Sequence, residues 1–241
     1  MTDARRILSL IDLTDLGESC TDDDVKSLCE RATTPYGSVA AVCVWPRFVP
    51  VAVAQLAGTG VRIATVVNFP TGDEPIDQVV ATTRRALDDG ADEFDLVLPY
   101  RAYLAGDRVR VEAVLDGVRS IVELPRHLKV ILETGELASL EQVSDAARVA
   151  IVHGADFVKT STGKSKVSAT PEAVRVMLEA IAASGRPVGI KPSGGIRTVA
   201  DAMTYLHLAD DVMGANWATP ATFRFGASGL LDAVLEVLDQ P

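Results

Sequence analysis

Short Val/Ile-rich runs separated by helix-length segments, an undivided chain, and the absence of a GxGxxG turn after the first run predict one α/β domain. The fold class is a single (β/α)8 TIM barrel over residues 1–241, with extra N-terminal helices. The runs are VAAVCVW (39–45), VRIATVVNF (61–69), EFDLVLPY (93–100), LKVILET (128–134), DFVKTS (156–161), PVGIKP (187–192), DDVMGAN (210–216) and TFRFGAS (222–228). Most begin 22 to 35 residues after the previous one, and the last two begin 12 apart. A strand, a crossover helix and two loops fill the longer interval and force parallel pairing. The runs are apolar on both faces, as strands covered by helices are. A doubly wound open sheet is the competing arrangement, and its glycine fingerprint is missing.

The helices follow from their stop and start residues. Residues 2–12 and 21–32 are expected as two helices ahead of the first strand. Pro75 opens a helix that Gly90 stops, and Thr170 followed by Pro171 reads as a cap with proline at the first helical position. Gly185 ends that helix. Thr198 caps VADAMTYLHLA, and GLLDAVLEVLDQ forms a last helix.

Composition narrows the function. The 241 residues are 48% hydrophobic and 23% charged, within the globular range. A net charge of −10 argues against nucleic acid or an anionic membrane as partner, since both need a basic face. No apolar stretch is long enough to span a bilayer and the first residues do not resemble a secretory signal, so a cytoplasmic location is expected. Three cysteines without CxxC spacing and three scattered histidines supply neither a disulfide framework nor an ordinary metal site.

Lysine usage is more pointed. The chain has 17 arginines and only six lysines, four of them (Lys159, Lys164, Lys166 and Lys191) between positions 159 and 191. Arginine cannot lose its proton, whereas a lysine can become neutral and nucleophilic. Lys159 and Lys191 end neighbouring runs, where barrel enzymes keep their chemistry. Proximity of two ammonium groups and partial drying both lower a lysine pKa. An ordinary lysine, with a pKa of ~10.4, is only about 0.04% neutral at pH 7, and each unit of depression multiplies that roughly tenfold. Pairing of these lysines with carboxylates on adjacent strands is the plainer alternative.

Asp95, flanked by Phe94 and Leu96, is costly in a strand unless paired, and Lys129 or Lys191 would pair it. Asp12 in the IDLT segment is a second candidate of this kind. The turns TSTGK, PSGGIRT and GASG put glycines and hydroxyls between strands and helices, where backbone N–H groups bind anions.

These motifs resemble the deoxyribose-phosphate aldolase family almost end to end. The matching stretches are IDLT, VAAVCVWPRFV, RIATVVNFPTG, GADEFDLVLPYRA, KVILETGEL, GADFVKTSTGK, KPSGGIRT and RFGAS. The resemblance implies a (β/α)8 barrel that cleaves 2-deoxyribose 5-phosphate to glyceraldehyde 3-phosphate and acetaldehyde through a lysine Schiff base, with no metal or organic cofactor. It implies Lys159 as the Schiff-base lysine, Lys191 as the lysine that perturbs it, and Asp95 as the acid of proton transfer. It also implies a substrate-binding set of Asp12, Cys43, Thr162, Gly163, Lys164, Gly194, Gly195, Gly226, Ser228 and Gly229. The expected partners are small phosphorylated sugars and aldehydes, and a homo-oligomer (dimer or tetramer) is expected. Gly229 stands where many members carry a second serine, and the chain ends LDQP without the terminal tyrosine of some members. A Schiff-base aldolase for a larger sugar phosphate and a non-catalytic phosphosugar-binding barrel are the competing readings.

Overall fold

A computed structural model describes residues 2–240. Eight parallel strands form the barrel: β1 Ile11–Asp15, β2 Ala41–Val44, β3 Arg62–Val67, β4 Glu93–Val97, β5 His127–Ile131, β6 Phe157–Lys159, β7 Gly189–Lys191 and β8 Phe225–Ala227. β8 pairs with β1, and each further strand pairs with the next in order as far as β7. The seam between β7 and β8 is closed by parallel bridges at Ile190–Phe223 and Ser193–Gly226. Around this cylinder lie α1 Thr2–Leu8, α2 Asp22–Arg31, α3 Val49–Leu56, α4 Ile76–Asp88, α5 Tyr100–Leu104, α6 Arg108–Arg119, α7 Leu140–Val152, α8 Pro171–Ser184, α9 Val199–Met213 and α10 Leu230–Leu238.

The capping residues act as the sequence suggests. Thr170 and Thr198 accept from backbone N–H groups in the first turns of α8 and α9, and Gly185 ends α8 in the left-handed conformation with φ 63°. The strands are short but almost wholly buried, which fits their apolar runs.

Two elements differ from expectation. DDVMGAN is no strand: its first four residues are the last turn of α9. Ala202, Leu206 and Ala209 are buried at helical spacing leading into that turn, and Asp210 faces out to pair with Arg6 at 3.2 Å. The missing strand is IDLTD, expected as the end of a helix and the segment after it. There Ile11, Asp12 and Leu13 are all buried, and the acids concealed its strand character. The two differences cancel in the count of eight, but they place Lys159 on the sixth strand and Lys191 on the seventh. They also leave α1 as the one extra N-terminal helix, because α2 is the crossover between β1 and β2.

Gly189 shows how tightly the barrel is filled. Its register partner is Phe157, and a Cβ at Gly189 would lie 2.4 Å from the Phe157 ring and 2.7 Å from the Thr222 carbonyl oxygen. Gly189→Ala is therefore expected to destabilise the fold by about 1–3 kcal/mol through overpacking. At this chain length that lowers Tm by several degrees, roughly 2–4 °C per kcal/mol. A thermal melt matching the wild type would show that the ring moves aside freely.

Candidate active site

Strand geometry brings the charged residues together. Side chains two apart on a strand share a face, so Glu93 and Asp95 both point inward from β4. Asp95 is in register with Lys129 on β5, Ile131 with Lys159 on β6, and Lys159 with Lys191 on β7. Asp12 enters from β1, and Arg224 from just before β8. All seven are at most 3% exposed, so the barrel interior is ionic where most such barrels stack branched aliphatics.

Asp95 is the hub. Its Oδ2 accepts from Lys159 Nζ and from Lys191 Nζ, each at 2.7 Å, while its Oδ1 accepts from Lys129 Nζ at 2.9 Å. Lys191 also lies 2.6 Å from Asp12 Oδ2. Lys129 lies 2.7 Å from Glu93 Oε2, and Arg224 joins Asp12 at 2.7 Å to Glu93 at 2.9 Å. Four basic side chains thus face three carboxylates. With every group ionised, the cluster holds one positive charge in excess.

The surplus falls on Lys159. Burial alone lowers its pKa; Asp95 opposes that, and Lys191 pushes it down again, for a net position below the ordinary lysine value. Burial acts the same way on Lys191, but Asp12 and Asp95 outweigh it and hold Lys191 above the ordinary value. Lys129 is raised too, with Asp95, Glu93 and Asp12 overcoming burial. Asp95 would be raised by burial, yet Lys129, Lys159 and Lys191 hold it well below the usual carboxylate range. Three of the four cations stay charged, and one lysine amine is biased toward the neutral form.

That amine meets a cavity of about 460 Å³ at the C-terminal end of the strands. Lys159 lines it together with Thr162, Gly163, Lys164, Gly194, Gly195, Gly226, Ser228 and Gly229, all expected from the sequence. The backbone N–H groups of Gly163, Gly195, Ser228 and Gly229 donate to no protein acceptor among the described residues. Four free donors around one cavity, close to the N-terminus of α10, form a cradle for an anion. Gly194 has φ 83°, and a Cβ there would lie 2.4 Å from Ser168 Oγ, so only glycine lets these loops meet.

Other expected residues sit elsewhere or act differently. Lys191, Asp95 and Asp12 lie behind Lys159 and do not line the cavity. Cys43 is fully buried on β2, and burial, followed by the nearby Asp95 charge, pushes its thiol up; it too is off the cavity wall. Thr162 is on the wall, but its N–H and hydroxyl both turn away to Glu133. Lys164 anchors its ammonium on the Leu16 carbonyl at 2.9 Å.

Sequence reasoning missed Glu93, Arg224 and Glu133, and knew Lys129 only as a pairing partner for Asp95. Glu93 and Asp95 at i and i+2 in a buried strand were the available signal. Arg197 also lines the cavity and adds a second cation beside Lys164.

The family model for DeoC/LacD family aldolases matches residues 6–233. The chain belongs to the DeoC/LacD aldolase family. A deoxyribose-phosphate aldolase of Agrobacterium fabrum is 55% identical to it over 232 residues, which are 96% of this chain and 90% of that protein. Among solved structures, a candidate deoxyribose-phosphate aldolase from Coccidioides immitis superposes with a TM-score of 0.86 at 33% identity, covering 98% of this chain and 87% of the other. The tetrameric deoxyribose phosphate aldolase from Aeropyrum pernix superposes with a TM-score of 0.81 at 26% identity, covering 100% and 94%. The ionic barrel core and its single open lysine are therefore features of a DeoC/LacD aldolase.

Proposed function

We propose that this aldolase reversibly cleaves 2-deoxy-D-ribose 5-phosphate to D-glyceraldehyde 3-phosphate and acetaldehyde in deoxyribonucleoside catabolism. The observation that carries the reading is a lysine with a lowered pKa, buried against a carboxylate yet opening onto a cavity with unpaired N–H donors. The high identity to the Agrobacterium fabrum enzyme supports the substrate assignment. No helix among the described residues is long and apolar enough to cross a membrane, and a cytoplasmic location is part of the proposal. The tetrameric relative supports assembly as a homo-oligomer.

The neutral Lys159 amine attacks C1 of the open-chain sugar, and loss of water gives the protonated imine. Breaking the C2–C3 bond sends its electron pair toward the imine nitrogen as the C3 hydroxyl gives up its proton. Glyceraldehyde 3-phosphate leaves, and an enamine of acetaldehyde remains on Lys159. Protonation at C2 and hydrolysis return acetaldehyde and the free amine. Asp95, kept ionised by its ammonium partners and 2.7 Å from the Lys159 amine, stabilises the cationic imine formed there and links it to Lys191. Lys191 is held protonated and supplies or receives the transferred proton across that shared oxygen. Neither a metal nor an organic cofactor enters the sequence of steps.

The phosphate is held by the free N–H groups of Gly163, Gly195, Ser228 and Gly229, with Lys164 and Arg197 supplying charge. Gly194 and Gly226 shape this cradle through close approach. Asp12 acts on substrate through Lys191. Cys43 bounds the dry region behind the amine.

Three outcomes test this assignment. Lys159→Arg keeps the positive charge but cannot form the imine, so turnover and borohydride trapping of acetaldehyde should both vanish. Substantial residual cleavage would sink the role of Lys159. Lys191→Leu removes a cation that pushes Lys159 down, so the pH at which imine formation reaches half its maximum should rise. Because burial is the larger cause, the profile should shift without losing its shape; an unmoved midpoint would refute the coupling. At Gly229 a new side chain meets open space, with no heavy atom within 4 Å of the added Cβ. A serine hydroxyl there would add a hydrogen bond to the phosphate, worth ~1.5–3 kcal/mol, or about tenfold at the low end. Gly229→Ser should raise kcat/KM for the phosphorylated sugar relative to free deoxyribose, and an unaltered ratio in a folded variant would place position 229 away from the phosphate.

A further inference from the structure

Glu133 is an ionisable group the mechanism does not use. It follows β5, is only 2% exposed, and adopts φ 54°, in the left-handed region that a glutamate rarely occupies. No Lys, Arg or His pairs with it among the described residues. A carboxylate so buried needs donors, and all of its donors come from one loop, residues 162–165, between β6 and α8. Thr162 N–H reaches both carboxylate oxygens at 3.3 Å, Thr162 Oγ1 donates to Oε2 at 2.5 Å, and Ser165 Oγ lies 3.0 Å from Oε1, its single proton shared with the Val167 carbonyl at the same distance. Thr162 Oγ1 in turn accepts from Lys164 N–H at 3.0 Å.

The consequence is a division of labour within the loop. Glu133 claims the donors of Thr162, and Thr162 claims the backbone donor of Lys164. Gly163 between them lines the cavity and its N–H donates to no protein acceptor among the described residues. The neighbouring backbone reinforces the clasp: Thr134 N–H donates to the Thr160 carbonyl at 2.9 Å, and a Cβ on Gly135 would lie 2.3 Å from the Val167 carbonyl oxygen. The loop is thus gripped from the turn after β5 on both sides of Gly163.

We infer that Glu133 is a positioning residue for phosphate recognition: by drawing Thr162 away from the cavity and, through Thr162, holding the backbone of Lys164, it leaves Gly163 N–H available to the phosphate of the substrate. The inference rests on the phosphorylated-sugar reading above. Among the described residues the Glu133 side chain makes no hydrogen bond or ion pair to Lys159 or Asp95, so its loss should be felt in phosphate binding and not in imine chemistry.

The experiment compares 2-deoxyribose 5-phosphate, free 2-deoxyribose and borohydride trapping of acetaldehyde in wild type, Glu133→Ala and Glu133→Gln. In Glu133→Ala, KM for the phosphorylated sugar should rise at least tenfold with kcat within about threefold. The ratio of kcat/KM for the two sugars should fall by a similar factor, and acetaldehyde trapping should persist. Glu133→Gln keeps one acceptor oxygen and should lie between the two. If Glu133→Ala does not fold, Glu133→Gln and Thr162→Val decide, and both should lower the same ratio. Normal wild-type trapping with an unchanged ratio in the folded variants overturns the role of Glu133. A fall in trapping and in both sugars alike also overturns it, since that is what general loss of structure produces. Absence of trapping in the wild type would instead overturn the Schiff-base reading itself.

Discussion

Much of the structure serves one requirement, that four cations and three carboxylates share the inside of the barrel. Burying such a cluster is favourable only if each ion finds partners, because charges removed from water lose several kcal/mol of solvation each. Asp95 satisfies three ammonium groups, and Arg224 clamps Asp12 to Glu93 at the far side. Removing one member would strand another, at a typical cost of about 3–5 kcal/mol. Such a cluster contributes little net stability, and its effect here is on proton affinity. A fixed set of partners leaves one positive charge in excess, and the amine least well compensated gives up its proton most readily. Lys159 has one carboxylate oxygen within reach, whereas Lys191 has two carboxylates and Lys129 has three.

Closure of the sheet makes this arrangement possible. In-register parallel strands place Lys159 beside Lys191 and Asp95 beside Lys129, and the curvature of the barrel turns these neighbours toward a common centre. Room for long side chains comes from missing ones. Gly226 leaves space for the Lys191 stem, whose Cε would lie 3.1 Å from a Cβ at that position, and Gly189 leaves space for the Phe157 ring. Beyond the strands, the loops add what the interior lacks, free N–H groups and two surface cations around the cavity. The ionic cluster and the loop-built cavity thus lie next to each other, with Lys159 at the boundary.

Much of this was legible in the sequence. Val/Ile-rich runs at crossover spacing set the class of fold, and cap residues such as Thr170, Thr198 and Gly185 set helix boundaries, because those preferences are local. Local cues failed at IDLTD and DDVMGAN, where acids occupy both a buried strand and a helix end. A single run of residues does not reveal that Asp12 will find Arg224, 212 positions away, or that Asp210 will find Arg6, 204 positions away. The scarcity of lysine, and its clustering near the ends of two strands, marked Lys159 and Lys191 before any geometry was known. The glycine turns marked the walls of the cavity in a similar way, since left-handed backbone favours glycine and close backbone approach, as at Gly194, leaves no room for a side chain.

The sequence by itself determined the barrel, the pair of lysines at the ends of neighbouring strands and the glycine-built mouth, all features written in local pattern and residue type. Only the tertiary structure decided which lysine has its pKa lowered, since that depends on burial and on how many carboxylates lie within hydrogen-bond reach. It also decided that Arg224 and Glu93 belong to the same cluster as Asp95, and that Glu133 takes the donors of Thr162. These are contacts across 131 positions in one case and 29 in the other. Coulomb and hydrogen-bond energies depend on separation in space, which the closing of the barrel fixes and the order of residues does not.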